Sequence, residues 1–101
     1  MPGGVEGTPY TYSAPTFATV GVASGAVIAA NTARQCVVII NDSTSDIYLA
    51  VNAAAVLNRG ILVRPGCVAQ FGGEAGLPLT RDAINGIANV ASRNVTIQEM
   101  T

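Results

Sequence analysis

Residues 35–51, QCVVIINDSTSDIYLAV, are the stretch that decides the fold of this chain. The first six are apolar almost without interruption, which is typical of a central, fully buried strand. Residues 41–45 have short polar side chains that hydrogen-bond to their own backbone and favour turns. Residues 46–51 return to apolar and β-favouring side chains. The pattern predicts a central strand, a turn that contains Asn41 and Asp42, and a second strand that returns antiparallel as a hairpin.

Short apolar segments separated by turn residues continue on both sides of this stretch. Pro65-Gly66 is the pair favoured at the centre of a type II turn and predicts a sharp change of direction. Residues 52–60 are too few for a stable isolated helix and predict either one helical turn or a loop. Further strands are predicted at residues 17–23, 26–30, 60–64, 67–71, 82–90 and 94–100. The sequence therefore predicts an all-β fold, a jelly-roll-like β-sandwich of about eight antiparallel strands, in one domain over residues 17–101.

Asn85-Gly86 admits two interpretations. Asn-Gly between apolar residues is a strong hairpin signal, which would divide residues 83–90 into two very short strands. Alternatively the stretch is one strand, and Gly86 permits a bulge within it. Because three residues are too few for a strand of a hairpin, the bulge is the preferred interpretation.

Residues 1–16 differ in composition from the rest of the chain. They contain three of the five prolines and two of the three tyrosines. Proline removes a backbone donor and favours extended conformations, so this segment predicts an extended N-terminal arm; the alternative is a frayed terminus. Tyrosine has an apolar body and a polar tip, which suits a docked segment. The candidate interaction residues are therefore Tyr10 and Tyr12 in the arm, and Phe17, which lies just beyond the arm.

The chain carries unusually little charge. Only 11% of its 101 residues are charged and the net charge is −1, whereas soluble proteins have about 25% charged residues. An apolar fraction of 50% argues against disorder. Nothing in this balance attracts nucleic acid or an anionic membrane. A near-zero net charge promotes association, so either other subunits cover the surface or the chain is a plain domain with an Ala-rich exterior.

No membrane-spanning or secretory segment is expected. The most apolar early stretch, residues 17–30, is shorter than the ~20 residues that a spanning helix needs. No positively charged segment precedes it, as a secretory signal would require. Cys36 and Cys67 are therefore expected to remain thiols in a reducing cytosol. Because both lie in apolar runs, both are expected to be buried.

Residues that support catalysis are scarce. The chain has no His, which removes the most frequent general base and metal ligand. Asp42 and Asp46 bracket a Ser-Thr-Ser segment that faintly resembles a calcium loop, but the sixth-position Gly and the distal Glu are missing. A solvated turn is the favoured interpretation. No catalytic residue, metal site or cofactor is expected.

Several segments resemble small β-sandwich proteins of tailed bacteriophages. The resemblance covers roughly residues 30–101 and consists of the following residues in order: Ala30-Asn31, Arg34, Ile40-Asn41, Ile47-Tyr48-Leu49, Gly60-Ile61, Val63, Pro65-Gly66, Ala83-Ile84, Gly86-Ile87-Ala88 and Val95-Thr96-Ile97. Such proteins decorate or cement the phage head, or belong to tail and fibre parts. The resemblance implies no catalytic residues, and it implies that Asn41 and Pro65-Gly66 shape turns.

The function expected from these features is that of a non-enzymatic virion protein, assembled in the host cytoplasm. The favoured role is a capsid decoration or cement protein that binds the outer head shell and stabilises contacts between major capsid subunits. Its expected partners are the major capsid protein and further copies of itself, as a dimer or trimer. The alternatives are a tail, baseplate or fibre component, and a carbohydrate-binding module. A carbohydrate site would need exposed aromatics, for which only Tyr48 and Phe71 are candidates beyond the first strand.

Overall fold

The part of the chain that the structure describes folds into eight β-strands. The structure, a computed structural model, describes residues 11–74 and 76–101. The strands are β1 (Thr16–Val20), β2 (Gly25–Ile28), β3 (Cys36–Asn41), β4 (Ile47–Val51), β5 (Ile61–Val63), β6 (Val68–Phe71), β7 (Ile84–Ala88) and β8 (Arg93–Met100). All pairings between these strands are antiparallel. The predicted all-β sandwich of about eight strands is confirmed.

Two four-stranded sheets form the sandwich. Sheet one has the order β1-β8-β3-β6, and sheet two has the order β2-β7-β4-β5. The pairing is nested along the chain, because the first strand pairs with the eighth, the second with the seventh, the third with the sixth and the fourth with the fifth. Consequently only the connection from β4 to β5 joins neighbours within one sheet. Each of the other connections crosses from one sheet to the other.

The predicted hairpin between β3 and β4 is wrong. The two strands lie in different sheets, so residues 42–46 form an arch rather than a hairpin turn. Both edges of β3 are already paired, one with β6 and the other with β8, which leaves β4 no edge to join. The positions of the turn residues were predicted correctly. Short polar side chains favour a change of chain direction, but they do not determine with which strand the next strand pairs.

The core lies between the sheets and consists of alternate side chains from each strand. Val37 and Ile39 of β3 and Val95 of β8 point inward from sheet one. Ile47 and Leu49 of β4 face them from sheet two. Such period-two alternation buries one face of each sheet and leaves the other outside. The directions of the remaining side chains follow from this alternation.

Residues 84–88 form one strand, as the preferred interpretation of Asn85-Gly86 required. The bulge itself lies elsewhere, between Ala26 and Ile28 of β2. The reason for glycine at position 86 is packing: a Cβ there would lie 2.9 Å from Cγ2 of Val27 and 3.0 Å from Cγ1 of Val20. The two sheets approach closely at this point, and only a residue without a side chain fits.

Candidate interaction surface

The outer face of sheet one exposes a row of large apolar side chains. The strand register places Phe17 of β1 opposite Thr96 of β8, Thr96 opposite Ile40 of β3, and Ile40 opposite Val68 of β6. Phe17 is 71% exposed, Val68 56% and Ile40 39%. Adjacent strands lie about 4.8 Å apart, so these side chains form a continuous line across the whole sheet.

Tyr12 extends this surface beyond the end of β1. It forms an isolated antiparallel bridge with Met100, whose side chain alternates to the outer face of sheet one. Tyr12 is 65% exposed. Two of the three candidate interaction residues, Tyr12 and Phe17, therefore share one face. Tyr10 lies outside the described residues.

The arm prediction needs a correction for residues 11–16. Thr11 and Thr101 exchange two backbone hydrogen bonds of 2.8 Å, and the Ser13 N–H donates to the Glu99 carbonyl at 3.0 Å. Thr16 already belongs to β1. This segment thus has a partner strand in its own domain, because β8 is long enough to pair with both β1 and the residues before it. Residues 1–10 of the predicted arm lie outside the described part of the chain.

No charged side chain projects from the outer face of sheet one along its four strands. The outward positions hold Phe17, Thr19, Val38, Ile40, Val68, Gln70, Asn94, Thr96, Gln98 and Met100, and also Cys36, which is buried at the start of β3. Between β3 and β8 this face contains a shallow groove of about 220 Å³, lined by Pro15, Val38, Ile40, Thr96, Gln98 and Met100. This face is uncharged and carries exposed apolar side chains among polar ones, and contiguous exposed apolar surface is typical of sites for association with other proteins.

The outer face of sheet two is partly covered by the chain itself, although Leu62 on this face remains 38% exposed. The loop at residues 52–60 lies against it, so the loop alternative for this segment is the one observed. The Tyr48 hydroxyl donates to Asn58 Oδ1 at 3.2 Å, and Asn85 Nδ2 donates to the Ala53 carbonyl at 2.7 Å. Ile87, which also alternates to this face, is buried. The loop at residues 52–60 therefore covers part of one outer face, whereas the row from Phe17 to Val68 on the outer face of sheet one, here called the bare face, stays exposed.

The predicted turn residue Asn41 is fully buried in the arch between the sheets. Its Nδ2 donates to the carbonyls of Ser45 and Val63, both at 2.7 Å. Its Oδ1 accepts from the Ser43 N–H at 3.1 Å and from the Ser43 hydroxyl at 2.6 Å. Asp42, the next residue, is exposed, and its carboxylate accepts only a long hydrogen bond of 3.4 Å from Asn94. Asn41 thus connects β3, the arch and β5.

Pro65 and Gly66 form the neighbouring crossing between the sheets. The Cys67 N–H donates to the Arg64 carbonyl at 2.9 Å, and Gly66 has φ of +77°. A type II turn has this backbone conformation at its third residue, where glycine is favoured. The Gly66 N–H donates to the Asn41 carbonyl at 2.8 Å, so this turn and the arch brace each other. Both groups of predicted turn residues shape the same end of the sandwich.

Arg34, whose environment sequence reasoning missed, lies at the centre of a polar cluster. It is fully buried, and its Nε donates to Glu99 Oε2 at 2.6 Å. Its Nη1 donates to the Thr80 and Asp82 carbonyls at 3.0 and 2.9 Å, and its Nη2 donates to the Ala29 carbonyl at 2.6 Å. The cluster joins two loops to the end of β8. The hydrogen-bond partners of Arg34 are distant in sequence, so the sequence does not identify them. The position of Arg34 just before an apolar run is the one local feature that indicates burial.

The two cysteines are free thiols in different environments. Cys36 is buried as expected, but Cys67 is exposed, which corrects the expectation that both are buried. Cys67 follows the Pro65-Gly66 turn directly and precedes β6, so the sandwich does not enclose it. Desolvation raises the pKa of the Cys36 thiol above its ordinary value of 9.0, and a hydrogen bond with Gln70 opposes part of that rise.

We expect a thiol reagent at pH 8 to modify Cys67 at least about tenfold faster than Cys36, because the thiolate is the reactive form and Cys36 is both buried and harder to ionise. The raised pKa keeps the Cys36 thiol neutral in the native state at pH values where the unfolded chain already ionises it. The contribution of Cys36 to the free energy of unfolding is therefore constant below pH 9 and falls as the pH rises further. Labelling followed by mass spectrometry measures both rates, with Cys67→Ser as the control. Equal rates in the native protein would contradict the buried environment of Cys36.

Neither a metal centre nor a spanning helix occurs among residues 11–74 and 76–101. No three His, Cys, Asp or Glu residues there lie close enough together to hold a metal ion. No helix in that part of the chain is long and apolar enough to cross a membrane. No family model, curated protein or solved structure matches this chain. The bare face of sheet one is therefore the feature from which a function can be inferred.

Proposed function

We propose that this chain is a non-enzymatic structural subunit that docks through the outer face of sheet one onto the proteins of a phage virion. The favoured role is head decoration or cementing, with the major capsid protein as partner. The observation that carries the proposal is the uncharged row of Phe17, Ile40 and Val68 on the outer face of sheet one, which the loop at residues 52–60 does not cover.

The energetics of this face suit a repeated, individually weak contact. Complete burial of a side chain such as Phe17 or Val68 contributes about 1.5–3 kcal/mol. Four strands spaced about 4.8 Å apart and about 17 Å long cover only roughly 300–400 Å². A standard stable interface buries about 800 Å² on each partner. One copy would thus bind weakly, but many linked copies on a shell gain affinity from high effective concentration.

The strand order also favours a virion protein. We read the nested pairing of β1 with β8, β2 with β7, β3 with β6 and β4 with β5 as the order of a jelly roll, in which two Greek keys are wrapped into a sandwich. Viral capsid proteins are among the recurring users of this architecture, and so are lectins. The strand order alone is an analogy, so the docking face decides between these two.

The carbohydrate-binding alternative has little support from its two candidate aromatics. Phe71 lies in the core, and Tyr48 is half-buried beneath the loop at residues 52–60 with its hydroxyl on Asn58. Neither offers a free ring face for a sugar to stack on. A tail, baseplate or fibre role would use the same kind of face, so that alternative becomes an outcome of the experiment.

The docking prediction compares two valines on opposite sides of the sandwich. Val68→Asp on the bare face should weaken binding to phage heads stripped of this protein at least about tenfold, which corresponds to 1.4 kcal/mol. Val56→Asp, at a position 51% exposed on the loop over sheet two, should leave binding unchanged. Val68→Lys should weaken binding like Val68→Asp, because the cause is the charge placed in an apolar contact. Co-sedimentation with stripped heads measures all four proteins, after circular dichroism verifies their folds.

Adding the wild-type protein to stripped heads should also raise their resistance to heat, and the effect should saturate. Absence of the protein from purified particles by mass spectrometry, or equal binding of the Val68 and Val56 variants, would overturn the proposal. Stripped particles that stay robust but fail to adsorb to cells would replace cementing with a tail or fibre role.

A further inference from the structure

Strand β1 presents a free backbone edge. The Asn94 carbonyl of β8 accepts from Asp42 on the β3 side, whereas the carbonyls of Glu99 and Thr101 accept from residues that precede β1. Odd-numbered residues of β8 therefore bond to β1, and their register partners are Thr16, Ala18 and Val20. It follows that the N–H and C=O groups of Phe17 and Thr19 point away from the sheet. No other strand described in residues 11–74 and 76–101 pairs with that edge.

The other three sheet edges are protected in ways that natural proteins use against association. Strand β2 carries the bulge between Ala26 and Ile28. Strand β5 has three residues and lies between Arg59 and Arg64. The edge of β6 is partly covered, because the Leu77 N–H donates to the Gln70 carbonyl at 2.7 Å. Strand β1, in contrast, has no charged residue and no bulge within its five residues.

We infer that two copies of this chain pair antiparallel along β1, about a two-fold axis through Ala18. In this register Phe17 of each copy lies opposite Thr19 of the other, and the two residues exchange both backbone hydrogen bonds. Four hydrogen bonds form, and every outward-pointing group of Phe17 and Thr19 is used. A register shifted toward the N-terminus would place Pro15 at a pairing position, where it has no N–H to donate.

This dimer extends the docking surface proposed above. The two sheets become one eight-stranded sheet, so the two bare faces adjoin and together cover roughly 600–800 Å². That area approaches the ~800 Å² per partner of a standard interface. The second copy is the fitting occupant because an uncharged strand edge is its own complement, with no like charges to oppose pairing across a two-fold axis.

Sedimentation equilibrium of the isolated protein, from low to high micromolar concentration, tests the inference without any phage particle. We expect a reversible monomer–dimer equilibrium. Thr19→Lys places two like charges on diagonal positions about 7–8 Å apart and should raise the dissociation constant at least about tenfold. Ala54→Lys, an exposed loop position over sheet two, adds the same charge and should leave the equilibrium unchanged. Val68→Asp, on the opposite edge strand of sheet one, should also leave it unchanged.

Amide hydrogen exchange identifies the interface directly. The amides of Phe17 and Thr19 should become protected as the protein concentration rises, while exposed amides of the loop at residues 52–60 should not. A protein that stays monomeric, a dimer that Thr19→Lys leaves intact, or a dimer in which these two amides still exchange freely would each overturn the inference. None of these outcomes bears on Val68, so failure of the dimer and failure of the docking proposal can be told apart.

Discussion

Replacement of Arg34 by methionine should lower the free energy of unfolding by about 3–5 kcal/mol, the range typical of removing one partner from a buried ion pair. The guanidinium donates to Glu99 and to three backbone carbonyls, and methionine offers none of these donors. The carbonyls would remain buried without their partner, which adds to the loss. Because Glu99 is partly exposed, water can reach its carboxylate, and the lower half of the range is the better expectation.

Arg59→Met is the matched control for this prediction. Arg59 is exposed, and its side chain makes no hydrogen bond or ion pair with the described residues. Its replacement should change stability by no more than about 0.5 kcal/mol. Arg34→Lys should fall between the two variants, since an ammonium keeps the charge but cannot reproduce the planar fork. Urea unfolding at pH 7 measures all of them, and similar midpoints for Arg34→Met and Arg59→Met would contradict a stabilising role for the cluster.

Asn41→Asp should destabilise the fold by about 2–6 kcal/mol, although the two side chains have nearly the same shape. Asn41 Nδ2 donates to the carbonyls of Ser45 and Val63, and an aspartate would present an oxygen to both. The buried Val63 carbonyl would lose this donor, at a cost of about 1–3 kcal/mol. The Ser45 carbonyl keeps the Ser43 hydroxyl as a donor at 3.1 Å, but the buried carboxylate itself adds a comparable cost. The loss should be greatest at neutral pH and smaller in acid, because a protonated carboxyl regains one donor.

Thr44→Asp tests whether added charge alone explains such a loss. Thr44 lies in the same arch but is exposed, and its hydroxyl accepts a hydrogen bond from Arg93 Nη1 at 3.0 Å. A carboxylate there stays in water and can still accept from Arg93. This variant should unfold within about 0.5 kcal/mol of the wild type. Thermal unfolding followed by circular dichroism at pH 7 and pH 4 compares the two. Equal stability of the Asn41 and Thr44 variants would show that the amide hydrogen bonds do not hold the arch.

The positions of the strands were predictable because they depend on local chemistry. Continuous apolar segments such as residues 35–40, and alternating segments such as 94–100, correspond to β3 and β8 within one residue at each end. Turn residues also act locally, since the glycine of Pro65-Gly66 adopts its positive φ wherever the turn is placed. The pairing of β3 was not predictable in the same way. Its partners β6 and β8 lie far along the chain, and adjacency to β4 suggested the wrong neighbour.

The candidate site was predictable only in part. Tyr12 was selected as an aromatic residue of the proline-containing arm and Phe17 as the aromatic residue directly after it, and both lie on the bare face of sheet one. Ile40 and Val68 were not selected, because a continuous apolar run does not reveal which of its members face outward. The structural role of Arg34 was not predicted, because its hydrogen-bond acceptors come from three separate parts of the chain.

Neighbouring residues Ile39 and Ile40 illustrate the division between local and tertiary information. The sequence by itself determined that both belong to a strand, because β-branched apolar side chains favour extended backbone regardless of what surrounds them. Only the tertiary structure decided that Ile39 is in the core and Ile40 is on the surface. The loop at residues 52–60 folds over part of sheet two rather than over sheet one, and that placement depends on contacts from Asn58 to Tyr48 and from Ala53 to Asn85. Such contacts form between segments distant in sequence, so no local pattern encodes which face remains bare.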